Sequence, residues 1–529
     1  MLDEAAYYSR MSMGVYRLLR APKIPDPRGT VLSQMANRER NFLDTARNVI
    51  FSDPAHPYNR MFRLAGCGYE DLERGIHREG LESTLAAIHR AGVFLSHDEF
   101  KGKKPIIRSG QTIPANSASF LNPLAVGSFE SRSGGSRSTG TVTRQSLMNQ
   151  LYRECQFDFM VREFHLDDRA MIGVMPILPS AWGLGHCLRA ARRGKPFERW
   201  FAVGGTLRDS GHYRAVTRTM GVLAKLMGAR VPLPAYLKPN DFSPAAEWIA
   251  RRRREGVACY VRGVTSPCVR VAAAALNKGL DISGTIFMVG GEALTDAKRK
   301  TIESAGAEVF PTYNIHEIGL VGYACRQMNH GNCVHIQRDA VAVISYRRAA
   351  PLTDIEVNSM LFTSLLPFAP RVLINAEMDD AGILEPVRCD CTYQRAGFVD
   401  QVSNIYSFGK MTGQGITLLG ADVVRILDEV LPQRFGGAPG DFQLVEEETP
   451  EQTQILLRVS PRVRAASIDA LKEGFFQELR KLYGGSLTSR QWQHTEALKV
   501  IIGEPYITGA GKVLPLHLLG PGIGAKHGS

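Results

Sequence analysis

Residues 285–317 read TIFMVGGEALTDAKRKTIESAGAEVFPTYNIHE, and the changes of character within this stretch decide the fold. An apolar run at 285–289 stops at Gly290-Gly291-Glu292. A helical period follows from Asp296 to Ser304 with Gly306 as its stop, and a second apolar run, 308–310, leads into the polar segment Tyr313-Asn314-Ile315-His316-Glu317. Strand, helix and strand in so short a span predict a βαβ unit with two parallel strands. Ligands of open α/β sheets sit beyond the carboxyl ends of the strands. The two polar segments should therefore face one site.

Working outward, further short apolar runs at 171–178, 200–203 and 257–261 alternate with helical periods. The expected architecture is α/β: a large N-terminal α/β domain with mostly parallel sheets covered on both faces. One intervening helix should open at Ser243-Pro244, a cap followed by proline, and close on the basic run Arg251 to Arg254, where cations suit the helix dipole. Residues 1–120 read as helical scaffold without obvious chemistry, with an amphipathic patch at 71–91. After Gly409 glycines accumulate (Gly413, Gly415), a short amphipathic helix is expected at 421–430, residues 441–447 and 452–459 alternate as an antiparallel pair, and a helix is expected over 466–482. Two domains are therefore expected: residues 1–409, and a small mobile α+β domain of residues 410–529. The glycine-bearing joint can absorb rotation between them.

The composition narrows the classes. Of 529 residues, 44% are hydrophobic and 22% charged, an ordinary globular balance that excludes fibrous and disordered classes. No apolar stretch approaches the roughly 18 residues that span a bilayer, and the N-terminus lacks a secretory apolar core, so a cytoplasmic protein without a membrane partner is expected. Nine cysteines do not suggest a disulfide framework. A net charge of +12 suits anionic ligands such as nucleotides; nucleic acid is not an expected partner.

Two constellations carry chemistry. The first is residues 131–144, SRSGGSRSTGTVTR. Its glycines let the backbone approach a polyphosphate while amides, hydroxyls and arginines donate to it. It lacks the Gly-Lys-Ser/Thr ending of a Walker A loop, and such a string is by itself also compatible with a flexible loop. The second is Cys325, Cys333, His335, Cys389 and Cys391. Thiolates and an imidazole suit tetrahedral zinc, and Cys-x-Cys supplies two ligands from one turn, although cysteines also serve as core residues.

The order of a Ser/Thr/Gly loop, Gly-Gly-Glu, Tyr-x-x-x-Glu, an Asp, a glycine joint and a lone C-terminal lysine resembles the adenylate-forming acyl ligase superfamily, in particular its phenylacetate-CoA ligase-like branch. The segment Pro54-Ala55-His56-Pro57-Tyr58 and Ala65-Gly66 fit that branch too, and the likeness runs from about residue 50 to 517. It implies that Ser133, Gly134, Gly135, Ser136, Ser138, Thr139, Gly140 and Thr141 form the phosphate loop, longer and richer in arginine than the usual one. Gly290, Gly291 and Glu292 would line adenine, Tyr313 and Asn314 would neighbour it, and Glu317 would hold magnesium. Asn314 and His316 stand where the family has Gly and Thr; His316 is expected at the phosphate or substrate carboxylate, or simply packed. Asp380, with Asp379 as rival, would bind the ribose hydroxyls. Lys410 falls where the family has an arginine before its hinge, and the hinge's usual paired aspartates are missing. Lys512, in ITGAGK at 507–512, matches the catalytic lysine. Trp182 and His186, in PSAWGLGH at 179–186, fall at a strand-to-helix turn where related ligases place the substrate pocket. The same branch includes structural zinc sites that Cys325, His335, Cys389 and Cys391 match, leaving Cys333 spare.

The implied activity uses ATP and Mg²⁺ to convert a carboxylic acid into an acyl-adenylate with release of pyrophosphate, then passes the acyl group to a thiol, foremost that of coenzyme A. A protein or carrier cysteine, or an amine, is the alternative acceptor. A zinc-braced nucleotide-binding protein without catalysis is the alternative of another class. A homodimer is common in the branch.

Overall fold

The structure is a computed structural model that describes residues 2–125, 127–132, 142–178, 180–203, 211–238, 241–291, 294, 296–328, 332–349, 356–407, 410–413, 416–419, 426–437, 441–448, 453–464, 467–481, 492, 498–505 and 516–518. Its centre is a twelve-stranded sheet. In chain order the strands are β1 (Ala170–Pro176), β2 (Arg199–Val203), β3 (Pro234–Tyr236), β4 (Cys259–Val264), β5 (Ile286–Gly290), β6 (Glu308–Ile315), β7 (Gly319–Tyr323), β8 (Val334–Ile336), β9 (Val341–Ala349), β10 (Glu356–Ser364), β11 (Ala376–Pro386) and β12 (Asp400–Ser407).

Strands β3-β2-β1-β4-β5-β6 run parallel in that order. From β6 onward β7-β8-β12-β11-β10-β9 continue the sheet with antiparallel pairings. The α/β class holds, but the parallel sheet expected from sequence is half of a mixed one. The periodicity of β1, β4, β5 and β6 reads as buried on both faces; that of β9–β12 gives no indication of which neighbour each strand takes.

Alternate residues of the parallel strands feed two cores. Met171 and Met175 of β1 and Ile286 and Met288 of β5 join a core shared with the N-terminal helices. Ile172, Val174, Phe287 and Val289 pack with Ala245 and Ile249 of the helix Ser243–Arg254 and with Val269 and Ala272 of the helix Thr265–Asn277. Burying each such Val, Ile or Phe side chain contributes about 1.5–3 kcal/mol, so the period-2 pattern fixes both the register and the two-faced cover. Helix Ser243–Arg254 spans the expected residues, except that Phe242 rather than Ser243 is the cap residue. The patch at 71–91 forms two helices, Tyr69–Glu79 and Leu81–Arg90, because Gly80 takes a φ of +82° between them.

The N-terminal region is joined to β11 across almost 300 residues. Leu95 N–H donates to the Asn375 carbonyl (3.1 Å), Glu377 N–H to that of Leu95 (2.8 Å), and the Tyr58 hydroxyl to that of Ile374 (2.8 Å). Buried Asn375 donates from its amide to the Leu85 carbonyl at 2.8 Å.

Beyond β12, β13 (Lys410–Gly413) pairs with β14 (Ile416–Leu419). A four-stranded sheet then contains β15 (Phe442–Glu448), β16 (Thr453–Val459), β17 (Leu498–Ile502) and β18 (Leu516–Leu518) in the order β17-β16-β15-β18. The expected antiparallel pair is β15 with β16, Phe442 opposite Val459, and the expected helix is Ile468–Lys481. Phe442, Leu444, Ile455, Leu457, Phe475 and Trp492 form a separate core for this unit. Of the helix expected over 421–430, the described residues Ile426–Val430 form a π-helical turn.

Candidate functional site

The order β3-β2-β1-β4-β5-β6 reverses direction between β1 and β4, and the crevice at such a switch point is where ligands of doubly wound sheets bind. The two turns expected to face one site lie along this edge. At the end of β5, a Cβ on Gly290 would meet Thr312 Oγ1 at 2.6 Å and the Thr312 carbonyl oxygen at 2.9 Å, so β5 and β6 approach closely only with glycine there. Gly291 follows with a φ of +84°. The Thr312 hydroxyl donates to the Val289 carbonyl at 3.1 Å and fastens the two strand ends together.

Tyr313, Asn314 and Ile315 belong to β6 itself, and the expected loop contracts to a tight turn at His316 and Glu317 before β7. The pairing of β6 with β7 shifts register between Tyr313 and Asn314, an irregularity that re-aims side chains beside functional sites. The Tyr313 hydroxyl donates to Asp380 Oδ2 at 2.7 Å. Burial, then the Asp380 charge, pushes the phenol well above its ordinary value. On β11, Asp379 has a φ of +60° and register shifts after Ala381. The neighbouring carboxylates consequently diverge: Asp380 meets Tyr313, whereas Asp379 accepts from His97 Nδ1 at 2.8 Å.

Glu317 is buried and pairs with the Lys101 ammonium. His316 Nε2 is buried without a hydrogen-bond partner among the described residues. Its imidazole is held below its usual value by burial, opposed by Glu317 and reinforced by Lys101, Arg371 and Arg153. Lys101 and His97 bring residues 1–120, read from sequence as scaffold, against Glu317 and Asp379. The local signal for their position is Ser96-x-x-Glu99, a capping box that starts the short helix His97–Phe100. Nothing in the sequence pairs that helix with Glu317 or Asp379.

Trp182 opens the helix Trp182–Arg193, which starts after β1 as expected. His186, one turn on, lines a pocket with Arg153, Arg189, Arg262, Asn314 and Tyr323. Trp182 packs behind it, edge-on to His186 at 5.0 Å and under the Arg262 guanidinium at 5.2 Å.

Of the other expected site residues, Ser133, Gly134, Gly135, Ser136, Ser138, Thr139, Gly140, Thr141, Glu292 and Lys512 lie outside the described residues. Strands Gly127–Arg132 and Val142–Ser146, which flank 133–141, pair antiparallel with Arg132 opposite Val142. Lys410 opens β13.

The cysteine cluster is drawn together from β8, the segment after β7 and the turn after β11. Cys325 Sγ lies 4.0 Å from Cys389 Sγ, Cys389 Sγ 3.3 Å from Cys391 Sγ, and His335 Nε2 3.5 and 3.2 Å from Cys389 and Cys391. All four ligand atoms lie within 4.8 Å of one another. Tetrahedral zinc with bonds of about 2.3 Å to sulfur and about 2.0 Å to nitrogen separates its ligands by about 3.5–3.8 Å, so the donor set and spacing fit. His335 Nδ1 lies 2.9 Å from the Phe398 carbonyl. A proton there makes Nε2 the free lone pair, an orientation that outer-shell partners commonly impose on metal-binding histidines. Cys333 is buried but not part of this group.

Against known proteins, no family model matches the chain, and no curated protein matches it either. Among solved structures it is similar to a 2-hydroxyisobutyryl-CoA ligase, whose structure holds 2-HIB-AMP and CoA in the thioesterification state. The identity is 14%, covering 91% of this chain and 90% of that one, with a TM-score of 0.54. PA1221, an NRPS protein containing adenylation and PCP domains, is matched at 12% identity over 93% and 96% of the two chains, but its TM-score of 0.35 is too low to carry weight. The chain thus has the fold of the adenylate-forming enzymes.

No helix among the described residues is long and apolar enough to cross a membrane.

Proposed function

We propose that the protein is an ATP- and Mg²⁺-dependent ligase of the phenylacetate-CoA ligase-like kind, built from domains 1–409 and 410–529. It activates a carboxylic acid as its adenylate and passes the acyl group to the thiol of coenzyme A. The observation that carries this reading is the meeting of Tyr313 with Asp380, and of Glu317 with Lys101, at and just after the carboxyl end of β6 in a fold shared with a CoA ligase.

In the first half-reaction a substrate carboxylate oxygen attacks the α-phosphorus of ATP, the bond to the bridging oxygen breaks, and pyrophosphate leaves. In the second a thiolate attacks the acyl carbon and AMP leaves with the electron pair. Asp380 accepts hydrogen bonds from the ribose hydroxyls. Tyr313 holds that carboxylate in place and presents its ring to adenine between Gly290, Gly291 and Glu292. The backbone and hydroxyls of 133–141 cradle the phosphates, and Lys410 orients the nucleotide near the joint. Glu317, paired with Lys101 in this structure, would hold Mg²⁺, which when bound would offset triphosphate charge. His316, kept neutral, offers Nε2 to the phosphate or to the reacting carboxylate. Lys512 neutralises charge developing between the carboxylate and the α-phosphate, and His186 and Trp182 shape the acid pocket. Cys325, His335, Cys389 and Cys391 would hold structural zinc, leaving no position open for water and bracing the chain between the Glu317 turn and β12.

The test is acid-dependent exchange of labelled pyrophosphate into ATP, screened over aromatic, aliphatic and amino acids, followed by product mass spectrometry with and without coenzyme A. Exchange with at least one acid and a CoA thioester among the products is expected. Absence of exchange with every acid refutes adenylation, and exchange without a CoA-dependent product refutes the acceptor.

A further inference from the structure

The pocket between the helices Leu147–Phe164 and Trp182–Arg193 and the strands β4, β6 and β7 has an unusual charge. Arg262, in the middle of a buried strand, is 2% exposed. Among the described residues its Nε has no hydrogen-bond partner, and Nη1 reaches only the Met288 carbonyl at 3.4 Å. Arg189, one turn beyond His186, donates to the neutral amide oxygen of Gln150 at 2.9 Å. Arg153 is half-buried beside them and, like Arg262, faces no carboxylate among the described residues. Glu154, which lines the pocket and attracts Arg189, is already paired with Arg192 at 2.8 Å.

Three guanidinium groups so placed repel one another. Arg189 is pushed down to about 9, first by burial and then by Arg153, and Arg153 is lowered by burial and by Arg262. His186 among them is held well below its usual value by burial and then by the three arginines, so it stays neutral. Buried charges are ordinarily paired, because an uncompensated one costs several kcal/mol. The stacking of Arg262 on Trp182 offsets part of that cost for one cation and leaves the group's excess charge. Besides Glu154, paired with Arg192, and Arg193, paired with Asp158, the remaining lining is neutral: Asn314 and Tyr323 are polar, Phe157 and Phe197 apolar. The pocket adjoins the His316 turn through Asn314, so a molecule whose reacting carboxylate lies at that turn can reach it with its far end once the side chains around its free space of about 20 Å³ draw apart.

We propose that the acid activated by this protein carries a second anionic group, a carboxylate, phosphonate or sulfonate, and that Arg153, Arg189 and Arg262 receive it. The inference rests on the adenylation reading and adds to it the class of substrate. A planar guanidinium matches an oxyanion in two-point geometry, and three of them around one cavity leave an uncharged chain end as the poor fit.

The test compares acids of equal length that differ only at the far end, methyl against carboxylate, phosphonate or sulfonate, in pyrophosphate release by the full-length protein with ATP and Mg²⁺. Oxyanion-ended acids should exceed their methyl-ended counterparts in kcat/KM by about 30-fold or more, the order lost when a buried charge loses its partner, with the best oxyanion identifying the group. Arg189→Met and Arg262→Met should collapse that preference to within a few-fold, mainly through KM, while Arg262→Lys keeps part of it. Binding is read separately, without ATP: oxyanion-ended acids should raise the melting temperature of wild type and not of Arg189→Met. Methyl-ended acids turning over as well as the oxyanion-ended ones would overturn this inference and leave adenylation standing. Arginine-dependent stabilisation without pyrophosphate release from any acid would instead keep the anion site and sink adenylation. Loss of both signals sinks both.

Discussion

Tyr313 and Asp380 stand 67 positions apart in sequence and 2.7 Å apart in space. A hydrogen bond to a charged acceptor is worth about 1.5–3 kcal/mol. Tyr313→Phe should therefore raise KM for ATP by about tenfold or more while changing kcat less, as measured in steady-state pyrophosphate release. A second residue-scale case is Asp339, fully buried, accepting from the Tyr152 hydroxyl and from Gln156 Nε2 at 3.2 Å, with its other oxygen unpartnered among the described residues. Burial outweighs these donors and raises its carboxyl from 3.8 to about 6. The folded state thus holds the proton more tightly than the unfolded chain. The stability this gives is full below about pH 4, is lost as the pH rises to about 6, and stays level above. Two pH units correspond to about 3 kcal/mol. Denaturant unfolding of wild type and Asp339→Asn at pH 4 and pH 7 should show the variant gaining up to that amount relative to wild type at the higher pH; an unchanged difference would refute the assignment. Among the residues, motif order singled out Tyr313, Asp380 and Glu317, whose chemistry has few substitutes. Lys101, His97, Arg153, Arg189 and Arg262 went unmarked, because a lone cation acquires meaning only from the neighbours that folding brings to it.

At the scale of elements, Gly290 governs how closely β5 and β6 end together. Gly290→Ala places a methyl against the Thr312 carbonyl, which as backbone cannot swing aside. A loss of about 1–3 kcal/mol in stability is expected, with weaker ATP binding, read by denaturant titration and by isothermal calorimetry. The cysteine cluster sets a second expectation. The purified protein should contain about one zinc per chain by elemental mass spectrometry, and Cys391→Ser or chelation should remove it and lower the melting temperature by several degrees. A chain that binds no zinc and melts unchanged with chelator would refute the metal. The βαβ unit at 286–315 and the pair β15–β16 were legible because their periods and glycine stops are local. The antiparallel half of the sheet was not: strands such as β12 and β8 pair across some 65 positions, and pairing at that range leaves no local trace.

For the whole molecule, the adenylation reading separates its two half-reactions. Lys512→Ala should abolish acid-dependent pyrophosphate exchange by about 100-fold or more, the order seen when one group stabilising transition-state charge is removed. The same variant should still convert synthetic acyl-adenylate and coenzyme A into thioester within a few-fold of wild type. Unaltered exchange would refute the role of Lys512. Fold class and the order of the two units were visible in the sequence because each has its own core pattern.

The hydrogen bonds that join Leu95, Tyr58 and Leu85 to residues 374–377 also constrain biosynthesis. The first hundred residues leave the ribosome long before β11 exists, and at about 5–20 residues per second they wait some tens of seconds for it. Phe62, Leu85 and Leu95, all buried in the finished protein, are meanwhile without the partners that will cover them. Nascent chains halted short of residue 376 should accordingly be retained by holdase chaperones, and release should coincide with the emergence of that strand.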